Sequence, residues 1–463
     1  MNLPESHLVF IEDLQMQLYK SCGKDPEVLI RGIDSNFANL NEVTFLRERD
    51  LTGISREAFS REMAAKYALA HTTKYQDPII SGPFRNILDE VEKAYALFKG
   101  EKVAPLLATV PICSLNALAI TDQSGSHGIV LQDGVRFWPK ILAQFLGGIL
   151  LHSYDYDQGI ELNKSKVKKH VDLFLQADNS LLELFISDAV EGGIMDFNYG
   201  GWVDSEISPL SYQSVWLYNF KVGFKFFVLA HEMSHCVNGH VEYACGIRNG
   251  ITPSMNDSEK VWVCPNGYFE KVRKKAYRKY PEFNNEAIGD AENIRFFQPL
   301  ENQADVDAFI SLLTFLGERK SSPGEAVPIL LGAMSFFWFC EITERVQRTL
   351  KYGDSWESNS IFTKDFDSQN LLLRDEHPAP LSRMNGIFKI LKRSELYSDL
   401  KAQWDVLSLV FSLIWDGEKE KVLKAVNDGL DVNEVKWGWG VSCAEFALGI
   451  KDIETHLKMR YNR

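Results

Sequence analysis

An α+β fold, mainly helical, is predicted for this 463-residue chain by three observations. Apolar residues recur at helical spacing through most of its length. A single β-rich region is confined to the stretch from Val103 to Leu131. No internal repeat or low-complexity segment extends either pattern over the whole chain.

Taken in order, residues 1–100 form a first, helical region. Its periodicity is carried by residues 56–70 and 84–99, with a turn-rich stretch at 77–83 between them. A second domain, 101–395, opens with β-rich runs at 110–120 and 128–131, joined by the polar TDQSGSH of residues 121–127, a connection suited to a hairpin. Helices are expected at 138–151 and, more amphipathic, at 164–190, followed by a connection containing Gly, Pro and Ser at 192–209. The next helix places Phe220, Phe224, Phe227 and Val228 on one apolar face. An irregular stretch at 246–284 suits a wall or lid over a site. Helical segments at 299–317 and 326–352, a polar loop at 353–370 and a helix from near Pro380 complete the domain. A third region, 396–463, holds a helix at 403–415 and a C-terminal helical hairpin.

Composition narrows the function classes. Hydrophobic content of 45% and aromatic content of 12% are those of a folded chain with a large core. A net charge of −13 argues against nucleic-acid binding, and the basic run from Lys271 to Lys279 reads as a solvated helix face. Seven cysteines without regular spacing fit a reducing compartment, and the N-terminus lacks the basic-then-apolar layout of a secretory signal. The apolar stretches 141–151 and 326–340 are shorter than the roughly 20 residues that spanning needs, so no membrane span and a cytoplasmic location are expected.

The chemistry is concentrated in His231-Glu232-Met233-Ser234-His235. Residues four apart share a helix face, so His231 and His235 can hold one metal ion, and Glu232 beside them can take a proton from a metal-activated water. A catalytic site needs a third protein ligand. His240 lies one position short of the third histidine of HExxHxxGxxH, which falls on Val241, and reads as a helix-end residue. Glu301, in LENQADVDA at 300–308, is the stronger choice. Glu301, Asp305 and Ala308 share a face, Ala304 is small enough for close helix approach, and Asp305 can accept the free ring N–H of a ligating histidine.

HExxH, then ExxxD on a later helix, then HPAPLSR at 377–383 resembles the CAAX-prenyl-protease-like (HtpX-type) gluzincin metallopeptidases. LNALAI at 115–120 followed by GIVL at 128–131 is similar to that family's hairpin, whose edge strand lies beside the cleft. The resemblance covers about residues 110–390, with HExxH and ExxxD its specific part. It departs from the family in lacking evident transmembrane helices and in the longer spacing between hairpin and HExxH. It implies a zincin-like core at 101–395 and one Zn2+ per chain, held by His231, His235 and Glu301. It also implies Glu232 as general base and a protein or peptide substrate paired along the hairpin edge, with His377 either an oxyanion stabiliser or a structural loop histidine. A second resemblance, of residues 416–459 to an ankyrin-type repeat with Trp437 and Trp439 at its tip, implies either a structural cap or a surface for a protein partner. A regulatory or partner-binding protein using a non-catalytic zinc site is the rival reading. An intact Glu232 counts against it.

Overall fold

The protein is described from a computed structural model, over residues 5–21, 55, 58, most of 73–146, 154–155, 161–162, 164–177, 211–241, 298–352, 380–392 and 397–427. The elements run α1 (Glu5–Ser21), α2 (Pro78–Lys99), β1 (Leu106–Val110), β2 (Ala117–Thr121), β3 (His127–Gln132), β4 (Tyr154–Asp155), β5 (Glu161–Leu162), α3 (Lys164–Ala177), α4 (Ser211–Val237), α5 (Gln298–Glu318), α6 (Pro323–Tyr352), α7 (Pro380–Leu391) and α8 (Tyr397–Asn427). The described residues are mostly helical with one small three-stranded sheet, as the patterning predicts. The helix expected at 56–70, the lid stretch 246–284, the loop 353–370, His377 and the tip carrying Trp437 and Trp439 lie outside the described residues.

The hairpin forms where the polar connection predicts it. β2 and β3 pair antiparallel, and Gly125, at φ 78°, makes the turn, with Asp122 accepting the Ser126 amide. The run at 110–120 is not one strand. Val110 ends β1, which pairs parallel to β3 and gives the order β1-β3-β2. Alternation then divides the sheet. Leu107, Ala117, Ala119, Ile129 and Leu131 face the main core, while Leu106, Ala108, Leu118, Ile120 and Val130 pack against Ile11 and Leu14 of α1. α1 is tied down by His7, which reaches Asp122 at 2.7 Å and the His127 carbonyl at 3.0 Å.

Helix α4 runs through the centre, against α2, α5 and α6. Its Phe220, Phe224, Phe226 and Phe227 are all fully buried. Where α4 crosses α6 the two backbones touch. A Cβ on Gly223 would lie 1.8 Å from the Ile329 carbonyl oxygen, and one on Gly332 would lie 2.0 Å from that of Phe220. Only glycine permits this approach. α6 begins in a capping box, with Glu325 accepting the Ser322 amide at 3.1 Å, and it continues through Pro328 and Gly332. It is therefore longer than the 326–340 apolar run. Its segment Pro323–Val346 is long and apolar enough to cross a membrane, yet 94% of its most apolar window is buried within the protein.

Two boundaries differ from expectation. The turn expected at 77–83 is the start of α2, because Pro78 occupies the first helical position, where no N–H is required. The helix expected at 403–415 continues through Asp416 and Gly417, where the ankyrin-like unit is expected to begin, as part of α8. Trp404, Leu407, Phe411, Ile414 and Trp415 are buried along α8, and Phe411 stacks on Trp338 of α6 at 5.2 Å. That packing outweighs the roughly 1 kcal/mol cost of one helical glycine.

Candidate metal centre

His231 and His235 sit one turn apart near the end of α4, and Glu301 sits in the first turn of α5, which crosses it. Their ligand atoms converge. The two Nε2 atoms are 3.1 Å apart, His231 Nε2 is 3.2 Å from Glu301 Oε2, and His235 Nε2 is 3.5 Å from Glu301 Oε1. All three side chains are buried, and together they form a group able to hold a metal ion. Ala304 and Ala308 are fully buried, so small side chains line this part of α5.

Each histidine is held from behind, by different means. His231 Nδ1 lies 3.0 Å from Asp305 Oδ1. Asp305 in turn receives two hydrogen bonds from Arg383 of α7, Nε to Oδ2 at 2.5 Å and Nη2 to Oδ1 at 2.6 Å. The Arg383 guanidinium also lies 3.8 Å from Glu301 Oε2 and over the Phe337 ring. Burial opposes every charge here. For Asp305 the Arg383 charge and hydrogen bonds prevail over burial and hold the carboxyl below its usual range. For His231, burial alone would lower the pKa, but Asp305 and Glu301 raise it from 6.5 to about 10. A cation entering this site must therefore displace a proton.

Behind His235 stands His240, with Nδ1 to Nδ1 at 3.0 Å. Helix α4 ends at Val237, and Gly239 takes the left-handed conformation at φ 66°, which folds His240 back toward its own helix. Burial lowers the His240 pKa to about 4, against the charges of Glu301 and Asp307, so its ring is neutral at pH 7.

Glu232 is buried, and its Oε2 accepts the Ala119 amide at 2.7 Å. Ala119 belongs to β2, an outer strand of the sheet, and this N–H is one that the ladder to β3 leaves unused. The sheet thus anchors the carboxylate of Glu232, one residue along α4 from His231. On another face of α4, Asp307 accepts hydrogen bonds from Ser234 at 3.2 Å and Asn238 at 2.9 Å and pairs with Lys99 at 2.8 Å. Tyr95 donates to the Ala230 carbonyl at 2.8 Å. This network locks α2, α4 and α5 in register.

Of the residues expected to act together, His231, His235, Glu301 and Asp305 converge, while Glu232 adjoins His231 in the chain and its carboxylate lies on the Ala119 amide. Sequence reasoning missed the clamp by Arg383, the contact of His240 with His235, and the hold of Ala119 on Glu232. Gly239 was the available signal for His240, because a glycine just past a helix end reverses the chain. Arg383 carried none beyond its place in HPAPLSR. Comparison of the chain with protein-family models, curated proteins and solved structures returns no match.

Proposed function

We propose that this protein is a zinc-dependent endopeptidase of gluzincin type, similar to the CAAX-prenyl-protease-like family, which hydrolyses peptide bonds of protein substrates. One observation carries the reading. Glu232, one residue from His231, is held by a backbone amide of an outer strand while His231, His235 and Glu301 converge. A purely structural metal site has no use for that carboxylate.

The donor set suits zinc. Four-coordinate zinc with ligands about 2.0–2.2 Å away separates neighbouring ligand atoms by about 3.3–3.6 Å. Here the two Nε2 atoms are 3.1 Å apart, and each is within 3.5 Å of a Glu301 oxygen. Zinc at this site would acidify a water and polarise a peptide carbonyl. Glu232 takes the proton released by the attacking water and delivers it to the leaving amine nitrogen. Asp305, clamped by Arg383, keeps His231 oriented with Nε2 toward Glu301. Pairing of an extended peptide along β2, recognised without strict sequence demand, would require Ala119 to exchange Glu232 for the substrate main chain. His377 belongs to the same reading as an oxyanion stabiliser.

The test is Glu232→Gln, assayed on unfolded casein with zinc content measured in parallel. Cleavage should fall at least about 100-fold, as expected for loss of a general base, with one zinc per chain retained. Undiminished cleavage ends the peptidase reading. A zinc-loaded wild type that cleaves nothing favours the regulatory alternative.

A further inference from the structure

We infer that His240 is a positioning residue of this centre, accepting the Nδ1 proton of His235 so that His235 Nε2 presents a bare lone pair to the metal. The inference rests on the metal-site reading above and extends it to a residue outside the ligand set.

A neutral imidazole carries one proton on either of two nitrogens, and only the nitrogen without it can ligate. His235 Nε2 faces the convergence point, 3.1 Å from His231 Nε2, so ligation requires its proton on Nδ1. His235 Nδ1 meets His240 Nδ1 at 3.0 Å. A nitrogen-to-nitrogen hydrogen bond holds a single proton, so when His235 donates, His240 must accept with Nδ1 and carry its own proton on Nε2. The pose is built rather than incidental. Gly239 at φ 66° turns the chain back, the two rings meet edge to face with centroids 5.0 Å apart, and His240 is 1% exposed. Its Nδ1 is thereby committed to His235, which argues against His240 as a ligand.

Charge balance explains why the acceptor is neutral here while Asp305 serves His231. Four carboxylates are buried here: Asp307 is paired with Lys99, and Glu232, Glu301 and Asp305 would stand against the Arg383 guanidinium and one divalent ion. Those charges cancel. A second outer carboxylate behind His235 would leave a buried negative charge uncompensated. A neutral imidazole fixes the tautomer without adding charge.

The test compares His240→Asn with His240→Leu in the full chain. The asparagine carbonyl oxygen sits where the imidazole Nδ1 sits, and leucine has a similar outline with no acceptor. Zinc affinity is measured by competition with a chromophoric chelator, and fold by thermal melting of the chelator-treated protein. His240→Leu should bind zinc about 10- to 100-fold more weakly than wild type, as for loss of an outer partner, with His240→Asn close to wild type and both melting alike. Equal affinities for the two variants would overturn the role of His240 and leave the centre standing. A wild type that takes up no zinc would overturn both. Should His240→Leu not fold, His240→Gln replaces it, since its amide reaches the Nε2 position instead. It should bind as weakly as expected for leucine, and affinity matching His240→Asn would overturn the inference.

Discussion

Between Phe220 and Val228, helix α4 is surrounded by phenylalanines and meets α6 backbone to backbone at Gly223 and Gly332. Between Ala230 and Asn238 the same helix is surrounded by carboxylates, imidazoles, an arginine and a lysine. Both halves are buried, but they are held by different physics. The upstream half depends on shape, because close-packed backbones cannot yield to an added methyl group. The downstream half depends on pairing, because each buried charge is unfavourable unless an opposite charge or hydrogen bond compensates it. One helix therefore serves as both the rigid spine and the site, and its two halves should fail differently.

The largest effect is expected in the charged half. Arg383→Met leaves Asp305 buried without its guanidinium and should cost about 3–5 kcal/mol in denaturant unfolding, with weakened metal binding. A loss below 1 kcal/mol would mean that Asp305 is not held by this clamp. Gly223→Ala comes next, at about 3 kcal/mol even after the gain in helix propensity, because its Cβ meets a backbone carbonyl rather than a movable side chain. That loss should be the same at every pH, which separates it from Arg383→Met. Glu301→Ala should reduce metal affinity by more than about 100-fold, beyond what loss of an outer partner costs, while the chelator-treated protein stays folded. Unchanged metal retention would move the third ligand elsewhere. Lys99→Met is the smallest, about 1–2 kcal/mol, since Ser234 and Asn238 still donate to Asp307.

The pH profile of chelator-treated protein sharpens the contrast further. The His231 pKa is raised from 6.5 to about 10, so its contribution is complete below pH 6.5 and is lost as pH rises toward 10. The Asp305 pKa is lowered from 3.8, so its contribution is complete above pH 3.8 and is lost as pH falls through the lower value. Unfolding midpoints should therefore fall from near-neutral pH toward pH 10. Gly223→Ala should follow a parallel curve, shifted down. A profile flat between pH 6.5 and 10 would show that His231 is not held by Glu301 and Asp305.

Spacing alone placed His231, Glu232 and His235 on one helix, put Glu301 and Asp305 on one face of another, and located a hairpin connection at 121–127. These are local periodicities of 3.6 and 2, written into consecutive residues. Local signals also misled. The stretch at 77–83 reads as a turn, yet from Pro78 onward it is helix, and the helix expected at 403–415 runs on through Gly417. What no local pattern could specify is which distant residues meet: Arg383 on Asp305, Ala119 on Glu232, Ile329 against Gly223. His240 is the instructive case, because its neighbour lies only five residues away, yet a single left-handed glycine decides that they touch. Consecutive residues carry the chemical groups and set the helix faces that present them. Their pairing is a property of the assembled core, because a buried charge takes its partner from whatever element the packing brings within reach.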